Sequence, residues 1–299
     1  MNPLAGPGLL ATGQSPRHGP GAPEVPASLG RAWANLEEVL RARGPLVVAL
    51  SGGVDSALLA VAARQVLGRD AVLAATAVSP SLAFEELLAA ARLAARHDLA
   101  WCQVATFELE DPRYQENQAD RCYRCKTALL RGLAPLARAR GATVALGVTR
   151  DDLGDYRPGQ QAAAERGARF PLLEAGLHKA EVRALARALD LEVWDKPAAP
   201  CLASRLPYGT PVTLGRLRAV EDAERGLRHL GFREVRVRHH GTLARLELPE
   251  ADLPRALAER AAVVAAVQAA GFRDVTLDLQ GLRSGNLNAA LRPEGRGGR

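Results

Sequence analysis

Residues 47–56 read Val47-Val48-Ala49-Leu50-Ser51-Gly52-Gly53-Val54-Asp55-Ser56. The apolar start predicts a buried parallel strand, and the Ala- and Leu-rich run at 57–62 predicts a helix directly after it. The turn between them is small, rich in glycine and flanked by hydroxyls. Its backbone N–H groups are therefore able to converge on an anion at the positive end of the helix. Because the Lys-Ser/Thr ending of a Walker A loop is missing, we expect a phosphate site of another kind.

The hexapeptide Ser51–Ser56 resembles the pyrophosphate loop (PP-loop) of the N-type ATP pyrophosphatases. In that superfamily ATP is cleaved between its α and β phosphates and the substrate is adenylylated. The resemblance assigns ATP binding to the whole loop and a share in holding Mg²⁺ to Asp55, since Mg²⁺ commonly bridges phosphates with few protein ligands. The alternative is an ordinary strand–turn–helix junction. The loop residues concerned are Ser51, Gly52, Gly53, Val54, Asp55 and Ser56.

From Leu46 onward, apolar strand-like runs alternate with helical segments rich in Ala, Leu and Arg. This alternation predicts an α/β fold with a doubly wound parallel sheet, whose ligands bind at the carboxyl ends of the strands. The loop at 51–56 lies at one of those ends. The predicted strands are 46–50, 71–77, 101–106 and 143–147, and the predicted helices are 31–43, 56–67, 83–97, 125–140 and 178–189.

The chain divides by composition into four parts. A disordered lead-in rich in Pro and Gly is predicted at 1–28, the ATP-binding domain at 29–206, a small α+β domain at 207–290 and a disordered tail at 291–299. The small domain reads as helix (213–230), strand, strand, helix, strand. The segments starting at Gly231 and Gly271 repeat a Gly-Phe-Arg-acid-Val pattern that ends a helix and begins a strand.

Composition excludes several classes of protein. No apolar run approaches the ~20 residues of a membrane span, and no signal peptide is visible, so a soluble cytoplasmic protein is expected. The net charge of +6 is spread through the helices, which suits a nucleotide ligand and argues against nucleic acid as a partner. Four cysteines in such a chain argue against a disulfide framework. Lysine occurs only at 126, 179 and 196, each beside the expected chemistry.

Three of the cysteines form the second informative pattern. Cys122 and Cys125 make a CxxC, which alone is ambiguous between half a zinc site, a redox pair and chance. Cys201 follows a segment around Trp194 that we expect to be an apolar strand and then a proline-restrained loop, ending at the ligand-binding edge. Three converging thiolates would hold a 4Fe–4S cluster with one open iron. Zinc or uncoordinated thiols remain alternatives, and Cys102 reads as a core residue.

Four segments in this order resemble the LarE family of ATP-dependent sulfur transferases, which build the nickel-pincer nucleotide cofactor. The similarity runs from about residue 31 to 290. Two departures stand out: Thr149-Arg150 replaces a usual Asn, and Leu282 replaces a common Tyr. The segments are Ser51–Ser56, the DDLGDYRPG stretch at 151–159, the CLASRLPYG stretch at 201–209 and the DLQGLRSG stretch at 278–285.

This resemblance implies a reaction. Family members adenylylate the carboxylates of pyridinium-3,5-biscarboxylic acid mononucleotide and replace the activated oxygen with sulfur. In one branch a single cysteine, matching Cys201, gives up its sulfur and becomes dehydroalanine. In the other, three cysteines bind a 4Fe–4S cluster that carries the sulfide, and the presence of Cys122 and Cys125 favours this branch. The family often forms closed homo-oligomers, and the sulfide donor stays open.

The remaining site residues are predicted around these motifs. Lys126 is expected to meet an anion near the cluster, and Arg205 a substrate phosphate or carboxylate, because a guanidinium pairs bidentately with both. Asp152 and Asp155 read as positioning or metal-site groups and Arg157 as an anion contact, with a solvated acidic loop as the alternative.

Three other functions compete. A tRNA thiolase shares the scaffold, but the 4% aromatic content offers few stacking platforms for RNA. An amidotransferase-type synthetase would not need three cysteines. A non-catalytic ATP binder or iron–sulfur carrier is disfavoured by the intact loop and acidic motif.

Overall fold

The computed structural model describes residues 25–154, 158–197 and 199–283. In this part of the chain a parallel sheet has the strand order β3-β2-β1-β4. This arrangement confirms the predicted α/β class with a parallel sheet. Its strands are β1 Leu46–Ala49, β2 Val72–Val78, β3 Ala100–Ala105 and β4 Thr143–Ala145.

Helices cover both faces of this sheet. In β1, Leu46 and Val48 pack into one buried cluster while Val47 and Ala49 pack into another, as the two-residue period of a strand requires. The first cluster includes side chains of α1, α2 and α8, and the second includes those of α5. The helices of this part are α1 Gly30–Arg43, α2 Val54–Leu67, α3 Phe84–Arg96, α4 Pro112–Gln115, α5 Arg121–Ala139, α6 Pro158–Glu165, α7 Pro171–Glu174 and α8 Lys179–Ala188.

The strand order creates a crevice beside β1. The chain winds from β1 through β2 to β3 on one side and then crosses back to place β4 on the other side of β1. Such a reversal is where doubly wound sheets bind ligands. The crevice opens at the carboxyl end of β1, next to the PP-loop.

A second sheet follows, with β5 and β6 antiparallel and β6 and β7 parallel. The helix, strand, strand, helix, strand order predicted for this region is confirmed, with the second helix divided in two. Gly231 and Gly271 follow helices with φ of +92° and +98°, a left-handed conformation that favours glycine. The elements are α9 Leu214–His229, β5 Arg236–His240, β6 Leu243–Glu247, α10 Leu253–Ala258, α11 Arg260–Ala269 and β7 Asp274–Leu277.

The core of this second sheet extends beyond its own strands and helices. Leu202, Leu206 and Tyr114 pack into it although they precede the predicted boundary at 206/207. The segment that carries Cys201 is thus built into the small sheet's core. The domain boundary itself stays a prediction.

Three local expectations were wrong. The apolar strand expected around Trp194 is a series of turns, because Trp194 N–H donates to Leu191 O and Lys196 N–H to Val193 O. Helix α5 begins at Arg121, four residues before its expected start, and β4 ends at Ala145. The predicted tail lies outside the described residues, as does most of the lead-in, although Ala27–Leu29 form a 3-10 turn.

Among the described residues, none of the helices combines the length and apolarity that crossing a membrane requires.

Candidate functional site

The PP-loop is closed by one hydroxyl. Ser56 Oγ accepts from Ser51 N–H at 3.1 Å, lies 3.1 Å from Ser51 Oγ and donates to Gly53 O at 3.0 Å. Gly52 has φ of +79°, a value that favours glycine. The sequence therefore curls the loop around the start of α2, where backbone N–H groups and the helix dipole attract phosphate.

Gly147, just beyond β4, is a site residue that the sequence analysis did not single out. A Cβ at this position would lie 2.7 Å from both the carbonyl carbon of Asp55 and the amide nitrogen of Ser56. Those atoms are backbone, so they have little freedom to retreat. A glycine at the end of a strand was the available signal, but only the fold shows what approaches it.

Two of the three lysines hold the loop from opposite sides. Lys179 Nζ forms an ion pair with Asp55 Oδ2. Lys196 Nζ donates to Gly52 O at 3.0 Å and to Glu86 Oε2 at 2.7 Å. Cationic side chains thus border the surface where a polyphosphate would lie.

Asp55 also has one oxygen with an unmet need. Its Oδ1 is buried and lacks a hydrogen-bond partner among the described residues. A buried unpartnered oxygen of this kind indicates a missing water or ion. Carboxylate oxygens are the ligands that Mg²⁺ prefers, so the donor fits the predicted cation.

The acidic motif after β4 serves partly to fix local structure. Asp152 Oδ2 accepts from the N–H and the hydroxyl of Thr149 at 2.9 and 3.0 Å. Asp151 Oδ2 accepts from Lys179 N–H at 2.6 Å, and this bond is the main reason why the pKa of Asp151 is lowered. Asp151 therefore connects the motif to the first turn of α8. The other two predicted residues, Asp155 and Arg157, lie outside the described residues.

The early start of α5 places Cys122 and Cys125 three residues apart on one helical face. Cys201 precedes a 3-10 turn, Leu202–Arg205. Burial, followed by the nearby charge of Cys201, raises the pKa of the Cys125 thiol to about 12. All these thiols are free of disulfides. The fold therefore brings the three predicted cysteines into one electrostatic neighbourhood, while Cys102 lies half-buried on β3.

The three thiols do not form a ready-made site for a single metal ion. In the described part of the chain, no group of three Cys, His, Asp or Glu side chains is arranged to hold one. This finding gives the zinc alternative no support, and the predicted 4Fe–4S cluster is not confirmed either. The donor chemistry still suits a cluster, because thiolates are its usual ligands and each binds a different iron.

A hydrogen-bond chain connects the Cys201 segment to the sheet edge. Leu202 N–H donates to Ser81 O at 2.9 Å, and the Ser81 hydroxyl lies 2.7 Å from the hydroxyl of Tyr114. Ser81 follows β2, the neighbour of β1. The thiol segment and the PP-loop thus share the same edge of the sheet.

Arg121 joins the two thiol-bearing segments. Its side chain is buried, and Nη1 donates to Asn117 Oδ1 at 2.5 Å and to Ala203 O at 2.8 Å. The sequence analysis passed over Arg121, whose only signal was its position next to the CxxC. Lys126 lies half-buried one turn further along the same helix.

Arg205 is committed to the protein. Its Nε and Nη2 pair with Glu224 at 2.8 and 3.2 Å, while Nη1 donates to Pro200 O, to Cys201 O and to Ser204 Oγ. Only 6% of its side chain is exposed. This placement favours positioning of the Cys201 segment over direct contact with a substrate anion.

The sheet and its loop define the class of protein: a PP-loop ATP pyrophosphatase. A family model described as asparagine synthase matches residues 34–147, the part that holds β1 to β4 and the PP-loop.

The curated relatives define the family. The chain is 42% identical over 267 residues to the pyridinium-3,5-bisthiocarboxylic acid mononucleotide synthase of Lactiplantibacillus plantarum, covering 89% of this chain and 96% of that protein. The chain belongs to the family of this synthase, the LarE family. An uncharacterised Synechocystis protein is 47% identical over 86% of this chain and 97% of its own. An uncharacterised protein of Methanocaldococcus jannaschii is 25% identical over 84% of this chain and 95% of its own.

Proposed function

We infer that the chain is an ATP-dependent sulfur transferase acting on pyridinium-3,5-biscarboxylic acid mononucleotide. It adenylylates the two carboxylates in turn and converts them to thiocarboxylates for a nickel-pincer nucleotide cofactor. One observation carries this proposal: the residues 196–202 contact the PP-loop through Lys196 and the β2 edge through Leu202, with Cys201 between them. The name of the Lactiplantibacillus relative supports the same substrate class.

The first half-reaction uses the PP-loop. A substrate carboxylate oxygen attacks the α-phosphorus of ATP, the bond to the β-phosphate bridging oxygen breaks, and pyrophosphate leaves with the electron pair. The amides of Ser51–Ser56 stabilise the charge that develops on pyrophosphate, and Lys179 and Lys196 add positive charge beside it. Asp55 offers its unpartnered oxygen to the accompanying Mg²⁺.

The second half-reaction replaces oxygen with sulfur. A sulfur nucleophile adds to the carbonyl carbon of the acyl adenylate, and the bond to AMP breaks, so the products are AMP and a thiocarboxylate. Activation is needed because a free carboxylate is a poor acyl acceptor at neutral pH. Lys126, on the same helix as the CxxC, is placed to balance anionic charge near the thiols.

The sulfur source separates two versions of the proposal. In the version we favour, Cys122, Cys125 and Cys201 hold a 4Fe–4S cluster, which when bound would supply an open iron position for a sulfide. In the other, Cys201 itself attacks the carbonyl, and its Cβ–S bond then breaks as the Cα proton leaves, which gives dehydroalanine. Both versions require Cys201, and only the first requires the CxxC.

The test measures pyrophosphate release and product mass with protein purified without oxygen. We expect pyrophosphate release that depends on the pyridinium dicarboxylate, its loss in Asp55→Asn, and a product heavier by one sulfur-for-oxygen exchange per carboxylate. Release without that substrate, or the absence of thiocarboxylate, would contradict the proposal. Salt-dependent binding of bulk tRNA with no turnover of the pyridinium compound would instead indicate a thiolase.

Iron and labile sulfide contents decide between the two sulfur sources. About four of each per chain, lost in Cys122→Ala and in Cys201→Ala but kept in Cys102→Ala, would support the cluster. An iron-free protein in which Cys201 alone loses the mass of one sulfur after a single turnover would support sacrifice.

A further inference from the structure

The main chain around Cys201 is held by guanidinium groups from three different parts of the fold. Arg121 of α5 donates to Ala203 O at 2.8 Å, Arg205 donates to the carbonyls of Pro200 and Cys201, and Arg238 of β5 donates to Ser204 O at 2.7 Å. We call Arg121, Arg205 and Arg238 the arginine cradle. It binds the oxygens of a segment that otherwise makes turns rather than ladder hydrogen bonds.

Each cradle arginine is itself fixed. Arg238 forms a bidentate pair with Glu247 on the neighbouring strand, with Nε at 2.9 Å from Oε1 and Nη2 at 2.8 Å from Oε2. Only 6% of the Arg238 side chain and none of the Glu247 side chain is exposed. The remaining nitrogen, Nη1, therefore reaches Ser204 from a rigid base on the small sheet. A planar fork with several donors performs both tasks at once, which a lysine ammonium does poorly.

The cradle separates packing from positioning. Leu202, Ala203 and Leu206 already bury the segment's apolar side chains in the second core, so the hydrophobic contacts hold the segment in place. They do not fix the rotation of the backbone about that anchor. Directional hydrogen bonds to successive carbonyls do, and Cys201 lies inside the span they control.

We propose that Arg238 is a positioning residue for Cys201, through which the small C-terminal sheet sets the placement of the sulfur-bearing segment relative to Cys122 and Cys125. The proposal rests on the proposed function for its role in sulfur transfer. It gives the second sheet a task in the chemistry: α5 carries two thiols, and β5 holds the backbone that carries the third. Adenylylation, which uses the PP-loop, does not depend on this contact.

The test uses Arg238→Lys, with Arg225→Lys as the matched control. A lysine keeps a positive charge beside Glu247, so no buried carboxylate is left unpaired, but the contact with Ser204 O is lost. Arg225 lies in the same part of the chain and forms an exposed pair with Asp222. A short bifunctional thiol reagent is applied to the full-length, metal-free protein, and crosslinked peptides are quantified by mass spectrometry.

We expect crosslinks from Cys201 to Cys122 or Cys125 to form at least fivefold more slowly in Arg238→Lys than in wild type. The Cys122–Cys125 crosslink, within one helix, is the internal reference and should change by less than twofold. Circular dichroism confirms the fold of each variant. Equal Cys201 rates in wild type and Arg238→Lys, or no Cys201 crosslink in wild type, would overturn the proposal.

A second measurement separates this proposal from the proposed function. With substrate present, Arg238→Lys should release pyrophosphate at the wild-type rate while forming thiocarboxylate about tenfold more slowly. Equal loss of both half-reactions would contradict a role confined to Cys201. If wild type itself releases no pyrophosphate, the proposed function fails, and the crosslinking rates still decide what Arg238 does.

Discussion

Lys179 and Asp55 form an ion pair across the PP-loop although 124 residues separate them in the chain. The lysine lies at the first position of α8 and the aspartate in the first turn of α2. Asp55 keeps its other oxygen buried and unpartnered among the described residues. The pair thus places a movable positive charge beside the carboxylate assigned to Mg²⁺.

Replacing Lys179 with methionine should weaken binding of Mg²⁺·ATP about tenfold, which corresponds to ~1.4 kcal/mol. The physical reason is the loss of a cation beside the phosphates, in a site where Asp55 then adds uncompensated negative charge. Titration calorimetry with a non-hydrolysable ATP analogue measures it. Arg41→Met, which removes one charge from an exposed pair with Glu37, is the control and should bind as wild type does. Unchanged affinity in Lys179→Met would exclude the contact.

Gly147→Ala should destabilise the fold by about 1–3 kcal/mol, because the new methyl group would overlap backbone atoms of Asp55 and Ser56. The displaced loop should also bind ATP less tightly. Urea unfolding gives the free energy, and calorimetry gives the affinity. Gly215→Ala is the matched control, since a Cβ there meets nothing within 4 Å. Its stability should stay within roughly 1 kcal/mol of wild type. A Gly147→Ala protein as stable as the control would show that the crevice is loose.

The features predictable from sequence are those set by short-range pattern. The strand–turn–helix around Ser51–Ser56 follows from a buried apolar run, two glycines and a helix-forming segment, all within about twenty residues. The same holds for the shared helical face of Cys122 and Cys125. The false strand near Trp194 shows the limit of such patterns. Leu191 and Val193 are buried alternately, as in a strand, but the backbone there bonds to itself in turns.

What the sequence did not reveal depends on which distant segments meet. The need for glycine at 147 comes from the approach of α2, and the contact between Arg238 and Ser204 spans the two sheets. Arg205 illustrates the same point for a motif residue. Its spacing from Cys201 suggested a substrate contact, but the pairing with Glu224 only exists once α9 packs against that segment.

Arg205→Ala should cost about 3–5 kcal/mol of stability, because Glu224 would remain buried with much of its charge uncompensated. The double variant Arg205→Met/Glu224→Met should recover part of that loss, since apolar groups of similar volume can replace a buried pair. Arg225→Ala, which breaks an exposed pair with Asp222, should cost no more than about 1 kcal/mol. Urea unfolding at neutral pH measures all three. A loss for Arg205→Ala no larger than that of the exposed pair would show that Glu224 is well satisfied without it.

Stability should fall as the pH is lowered through about 6.5, the ordinary pKa of histidine. Burial, helped by the positive charge of Arg96, lowers the pKa of His97 in the folded protein, and burial helped by Arg216 does the same for His239. Between the folded and unfolded pKa values the unfolded chain binds more protons, so the free energy of unfolding decreases as protons are added. This contribution is complete above the unfolded pKa and is lost as the pH falls.

The two histidines can be separated from other titrating groups by mutation. Urea unfolding of wild type at pH 7.5, 6.5 and 5.5 should give a falling free energy, and the double variant His97→Gln/His239→Gln should show a shallower slope. His229→Gln, at an exposed position in the last turn of α9, is the control and should keep the wild-type slope. Identical slopes for wild type and the double variant would mean that both imidazoles titrate alike in the folded and unfolded chain. That result would require water to reach Nε2 of His97 and Nδ1 of His239, both of which are buried without a partner among the described residues.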